Sequence, residues 1–201
     1  MTARIRRHRS AVLVTSTTGA SEDPDLVVEL CRSFAALPLK VVLVDADLRT
    51  AAVSTVTGTA GRPGLAQVLA GTAAVPEVVV TLPGSAVAVL PAGRSPSDAV
   101  DPVADRGGPA VIERLRRDFD IVMLAVPALD ALGEARAWAG WADEVVLLVR
   151  PGSDTLADVR RAESALRAVG VRRLLAVGLR GPADDADGVV GTGASGGAGA
   201  R

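Results

Sequence analysis

The stretch from Thr15 to Pro24, Thr-Ser-Thr-Thr-Gly-Ala-Ser-Glu-Asp-Pro, holds the residues whose types and spacing most resemble a working site. The apolar run Ala11 to Val14 before it reads as a buried strand, and a helix start follows it. There Asp23 can cap and Pro24 suits the first helical position. In an α/β protein, loop and helix N–H groups converge at such a corner, so phosphate binding is the chemistry the place suggests. A phosphate loop needs glycines for close approach and a Gly-Lys-Ser/Thr ending. This loop has one glycine, Gly19, no lysine, and a proline. Ser16, Thr17 and Thr18 could suggest a nucleophile. The single histidine, His8, lies in a basic arm without an acidic partner at catalytic spacing, so loop or capping use is expected instead.

The elements that must position this corner alternate. Leu26 to Leu37 has helical spacing, with Leu26, Leu30, Phe34 and Leu37 on one face, and Pro38 stops it. Lys40 to Asp45 is an apolar strand ending in a carboxylate, which completes a right-handed βαβ unit. Gly64 to Gly71 reads as a short helix, Val87 to Pro91 as a strand, Asp105 to Asp118 as a helix and Asp120 to Ala125 as a strand. Ala131 to Trp141 is a helix, Glu144 to Val149 a strand, Thr155 to Val169 a helix, and Arg173 to Gly178 the last strand. This order predicts a single doubly wound, mostly parallel sheet with helices on both faces. Trp138 and Trp141, three apart on a helix, are expected to pack in the core, with a partner surface as the other reading.

Three segments follow: a basic arm over 1–10, one domain over 11–181, and a Gly/Ala-rich tail over 182–201 expected to be disordered. Gly191 to Gly196 in that tail matches G-x-G-x-x-G, but no foldable helix follows, so the match reads as low complexity. The 201 residues are 49% hydrophobic and carry a formal net charge of -1, which gives no global attraction to nucleic acid or an anionic membrane. Tyrosine is absent and aromatic residues are scarce, so single-stranded nucleic acid has no stacking platform. One cysteine, Cys31, cannot form an internal disulfide and fits a cytosolic compartment. No apolar run approaches the roughly 20 residues of a membrane span.

Val41 to Arg49, ending Val-Asp-Ala-Asp-Leu-Arg, resembles the second nucleotide motif of the deviant-Walker (MinD/ParA-like) P-loop ATPase group. Within that group the chain is similar to the cytoplasmic bacterial tyrosine kinase domains of capsule and exopolysaccharide assembly. Gly64 to Gly71 resembles their "GLSDVLLG" segment and Leu90 to Gly93 their "LPAG" turn. Ala142 to Arg150 resembles "ADGVLLVVR", and Gly170-Val171 with the strand after it resembles "LGVRVLGVVLNG". The resemblance spans 11–181 and implies a P-loop NTPase-like fold.

Laid without a gap on the family's "VTSAxPGEGKST", the loop puts Asp23 at the lysine, Pro24 at the Ser/Thr, and Ala20 and Glu22 at glycines, with Gly19 before them and Ser21 between. A carboxylate at the lysine repels phosphates, and Pro24 lacks both the metal-ligating hydroxyl and a backbone donor. Ala125 stands at the aspartate of "DYVIIDTPP", and Arg180 at the base-contacting asparagine. The family's tyrosine tail and its E-x-x-R-x-x-R segment are missing from the sequence.

Asp45 and Asp47 remain as residual catalytic or metal candidates. The expected use is that they cap the following turn and pair with Arg49 or Arg150. The resemblance then implies a non-catalytic relative, with no cofactor, serving as a protein-interaction or regulatory module of polysaccharide biosynthesis and export. Its partner would be a membrane adaptor that recruits it from the cytoplasm to the inner face of the membrane; homo-oligomers stay open. The alternatives are a divergent ATP- and Mg²⁺-using tyrosine autokinase and, behind it, a positioning ATPase.

Overall fold

A computed structural model describes residues 9–19, 22–94, 104–129 and 134–179. Most of the basic arm, the whole tail with its G-x-G-x-x-G match, and Ala20, Ser21 and Arg180 lie outside the described residues.

The chain runs β1 (Ser10–Ser16), α1 (Pro24–Ala35), β2 (Val41–Asp45), α2 (Ala52–Val56), α3 (Leu65–Leu69), α4 (Val75–Val78), β3 (Val80–Thr81) and β4 (Val87–Leu90). It continues as α5 (Ala104–Arg116), β5 (Ile121–Ala125), α6 (Glu134–Trp141), β6 (Glu144–Val149), α7 (Leu156–Ala168) and β7 (Leu174–Gly178). The seven strands lie in the order β3-β4-β2-β5-β1-β6-β7. Every pairing is parallel except β3 with β4, which is antiparallel at the edge. The doubly wound sheet expected from the alternation is therefore present.

Successive strand residues face opposite sides of the sheet and feed two cores. Leu13, Val42, Val44, Leu90, Val122, Leu124 and Leu147 pack with residues of α3 to α7. Val14, Val41, Leu43, Val89, Met123, Ala125 and Leu148 pack with Val27, Val28 and Cys31 of α1 and Val53 of α2. Burial pushes the Cys31 thiol up to about 12, and its Sγ lies 3.2 Å from Met123 Sδ. It behaves as a packed apolar group rather than a nucleophile.

Two expectations need correction. The first helix starts at Pro24 behind its Asp23 cap, as those two residues predict, but it ends two residues before the apolar spacing suggested, since Pro38 disfavours helix just before it. Its buried face is centred on Val27, Val28 and Cys31, with Leu26, Leu30 and Phe34 at the margins, and Leu37 lies beyond the helix, 54% exposed. The three short elements α2, α4 and β3 gave no periodic signal.

A glycine inside α5 sets the packing of the helices across the first core. A Cβ on Gly108 would stand 2.1 Å from the Trp141 ring, so this glycine lets α6 seat Trp141 against α5. Trp141 meets buried Trp138 edge-on, with centroids 5.5 Å apart and planes at 79°, the favoured aromatic geometry.

Candidate functional site

The carboxyl ends of β1, β2 and β5 meet where an open α/β sheet places its ligands. Asp45 of β2 pairs in register with Ala125 of β5, which pairs with Val14 of β1, so the three side chains stand in a row on the α1 face. Ser16 follows on the same face by strand alternation. These residues, with Glu22, Asp23 and Asp47, line a single cavity of about 40 Å³. That volume accommodates about two or three waters.

The loop end of the cavity is closed by the protein's own carboxylates. Asp23 Oδ1 accepts a hydrogen bond from the Leu26 N–H at 3.0 Å, capping α1, and Pro24 occupies the first helical turn without an N–H to offer. Asp23 Oδ2 lies 3.6 Å from Nη2 of Arg150. Glu22 Oε1 accepts from the Ala128 N–H at 2.7 Å and ties the loop to the segment after β5. Thr18 donates to Asp154 Oδ1 at 2.7 Å, and Thr17 donates to the Leu148 carbonyl at 3.1 Å. A Cβ on Gly19 would meet nothing within 4 Å, so no close approach demands the loop's one glycine.

Asp45 is fully buried, and burial lifts its carboxyl from 3.8 to about 6. Three donors oppose that rise: the Ser54 hydroxyl at 2.6 Å, the Ser54 N–H at 2.7 Å and the Asp47 N–H at 3.2 Å. Ser54 Oγ also accepts from the Ala92 N–H at 2.9 Å, so one hydroxyl joins the ends of β2 and β4 through α2. Asp47 Oδ1 accepts from the N–H groups of Arg49 and Thr50, both at 3.1 Å, and its Oδ2 from the Thr50 hydroxyl. The two aspartates thus hold the turn after β2. Arg49 serves Asp47 through its backbone N–H, and Arg150 pairs with Asp23.

Nothing in the sequence singles out Ser54 or Ala128. Ser54 sits in Ala-Ala-Val-Ser-Thr-Val, a run without period, and Ala128 is joined to Glu22 across 106 positions. Ser16 stands out in the sequence only as a nucleophile candidate. Its hydroxyl is sealed from solvent with no partner among the described residues.

A nucleoside triphosphate with Mg²⁺ does not fit these residues. The N–H of Leu26 is taken by an internal carboxylate, and a second carboxylate holds Ala128. At about 4 Å and an effective dielectric near 20, each carboxylate–phosphate charge pair costs about 4 kcal/mol.

No family model matches the chain. By sequence it is 31% identical over 116 residues to the succinoglycan biosynthesis transport protein ExoP of Rhizobium meliloti, covering 56% of this chain and 15% of ExoP. It is 24% identical over 164 residues to the tyrosine-protein kinase YwqD of Bacillus subtilis, covering 82% of this chain and 69% of YwqD. The kinase domain of the Escherichia coli tyrosine kinase ETK superposes with a TM-score of 0.82 at 21% identity, over 96% of this chain and 75% of that one. The cell division ATPase MinD of Pyrococcus furiosus superposes with a TM-score of 0.71 at 27% identity, over 83% and 69%. The chain is a member of the deviant-Walker (MinD/ParA-like) P-loop ATPase superfamily. Bacterial tyrosine kinases and a succinoglycan biosynthesis transport protein are among its relatives.

Proposed function

We propose that this chain is a non-catalytic relative of the bacterial tyrosine kinase domains, keeping their α/β scaffold as a protein-interaction or regulatory module. Its setting is capsule or exopolysaccharide biosynthesis and export, its partner a protein of that machinery, and it uses neither ATP nor Mg²⁺. The observation that carries this reading is Asp23: it stands at the family's lysine, caps α1 with its own carboxylate, and lies next to Pro24 where the family has a metal-ligating hydroxyl. Ala125, in register with Asp45, removes the third-motif carboxylate from a different strand. No helix among the described residues is long and apolar enough to cross a membrane.

Reversal of the loop tests the reading. The double variant Asp23→Lys/Pro24→Ser is expected to hydrolyse no ATP, because Ala125 still leaves the metal without its second-strand carboxylate. Adding Glu22→Gly and Ala125→Asp rebuilds the missing groups. Phosphate release by the unaltered chain would contradict the proposal, whereas release by the double variant alone would show that the loss at Ala125 is not decisive.

A further inference from the structure

The cavity that closes against phosphate has the opposite character from an anion site. Four carboxylates line it, from Glu22, Asp23, Asp45 and Asp47, and no lysine or arginine is among the described residues that line it. Arg150 is paired with Asp23 at 3.6 Å, which leaves Glu22, Asp45 and Asp47 uncompensated by that contact. Burial holds Asp45 up at about 6, as expected of a carboxylate lacking a nearby cation. The Ser16 hydroxyl, on a residue 2% exposed, lines the same cavity and has no hydrogen-bond partner among the described residues. A buried hydroxyl left unpaired costs about 1–3 kcal/mol, so its place beside the cavity marks where a donor or acceptor is due.

Apart from Thr15, whose hydroxyl donates to the Pro127 carbonyl, the rest of the lining is apolar. Val14, Val27, Val53, Ala125 and Leu148 line the cavity beside the carboxylates. A ligand suited to both parts has a thin apolar stem and a compact cationic head with several donors. That is the description of a lysine side chain, whose ammonium carries three donors and whose four-carbon stem packs along apolar surface. A bare divalent ion suits the site less. Among the described residues no three carboxylates converge as metal ligands, and apolar walls add nothing to its binding.

The geometry points to a receptor for a lysine side chain presented by a protein partner. Its ammonium sits among Ser16, Glu22 and Asp45, and its stem lies along Val14 and Ala125. This inference rests on the reading above that the chain binds a protein and not a nucleotide, and it names the chemistry by which the partner is held. Ser16 Oγ accepts one ammonium proton and the carboxylates accept the others, so the cavity's orphan hydroxyl and its unbalanced charge are answered together.

The test uses the full chain, ¹⁵N-labelled, titrated with n-butylammonium chloride against sodium chloride at equal ionic strength. Saturable shifts are expected at the amides of Asp47, Ser54 and Ala128, with a dissociation constant in the millimolar range suited to so small a ligand. Ser16→Ala and Glu22→Gln should each weaken binding about tenfold, the loss of one hydrogen bond to a charged group. Glu29→Gln, on the exposed side of α1, should leave it unchanged. Shifts that fail to saturate, equal shifts with sodium, or insensitivity to both cavity variants would overturn the inference. So would Mg²⁺ saturating the same amides at lower concentration, which would make the cavity a metal site. ATP added as a parallel arm separates the two claims. Saturation by ATP defeats the proposed function itself, whereas silence from both ATP and butylammonium defeats only the lysine receptor.

Discussion

Gly64→Ala is expected to cost about 4 kcal/mol, a large share of the 5–15 kcal/mol that holds a typical domain together. A Cβ on Gly64 would stand 2.1 Å from the Pro91 carbonyl oxygen, 2.6 Å from its carbon and 2.7 Å from the Gly93 nitrogen, all backbone atoms that cannot swing aside. Relief would require the turn after β4 to move. That turn accepts the Leu65 N–H on Pro91 at 2.7 Å and the Ala66 N–H on Ala92 at 2.9 Å, and it is tied through the Ala92 N–H to Ser54. Moving it therefore also disturbs the group that satisfies Asp45. The check is urea unfolding, with the midpoint falling at an unchanged slope. Gly19→Ala, whose added methyl meets nothing within 4 Å, should stay within about 0.5 kcal/mol of the parent. A Gly64→Ala protein as stable as the Gly19→Ala protein would show that the close approach is not real.

Asp45→Asn should change how stability depends on pH. Burial raises the Asp45 carboxyl from 3.8 to about 6, so the folded state favours its protonated form. The contribution is fully present below the unfolded value and is lost as pH rises through the folded one. Each pH unit between the unfolded and folded values is worth about 1.4 kcal/mol, so the parent should lose about 3 kcal/mol from this group between about pH 4 and pH 7. An asparagine keeps a carbonyl oxygen for Ser54 and does not titrate, so its variant should gain about that much on the parent across the interval. Asp158, held low by its hydrogen bonds from Thr155, runs the other way, but it is common to both proteins and cancels in the difference. The measurement is the difference in unfolding free energy at several pH values. A flat difference would mean that Asp45 is compensated in the folded state.

The legible part of this fold is the part whose signal is local. Val41 to Val44 and Val122 to Leu124 are continuous apolar runs because both faces of a parallel sheet are covered, and no loop could carry such runs. Thr155 is placed as a cap by Asp158 three residues on, and the pair is seen as a reciprocal capping box. Asp23 and Pro24 are likewise readable as a helix start from their own chemistry. What stays hidden depends on distant partners. Residues 52–56 hold three β-branched residues and a serine, poor helix formers, and are helical where the Ser54 N–H meets a buried carboxylate nine positions earlier. The apolar spacing puts the face of α1 one residue out of phase because Leu26, Leu30 and Leu37 dominate the pattern, while the sheet below admits Val27, Val28 and Cys31. At the site, the loop residues are legible one by one. The closure is not, since the Glu22 bond to Ala128 and the cavity shared by Ser16 and Asp47 exist only once three strand ends are side by side.

If this corner of the superfamily fold has given up nucleotide, isothermal titration of the full chain with ATP and Mg²⁺ should give no saturable heat. A melting curve at millimolar nucleotide, run beside it, should leave the melting temperature unmoved. A saturable isotherm would contradict the loss of nucleotide binding. So would a stabilisation approaching the roughly 2.7 kcal/mol that a ligand gives at 100 times its dissociation constant, if Asp45→Ala abolishes it.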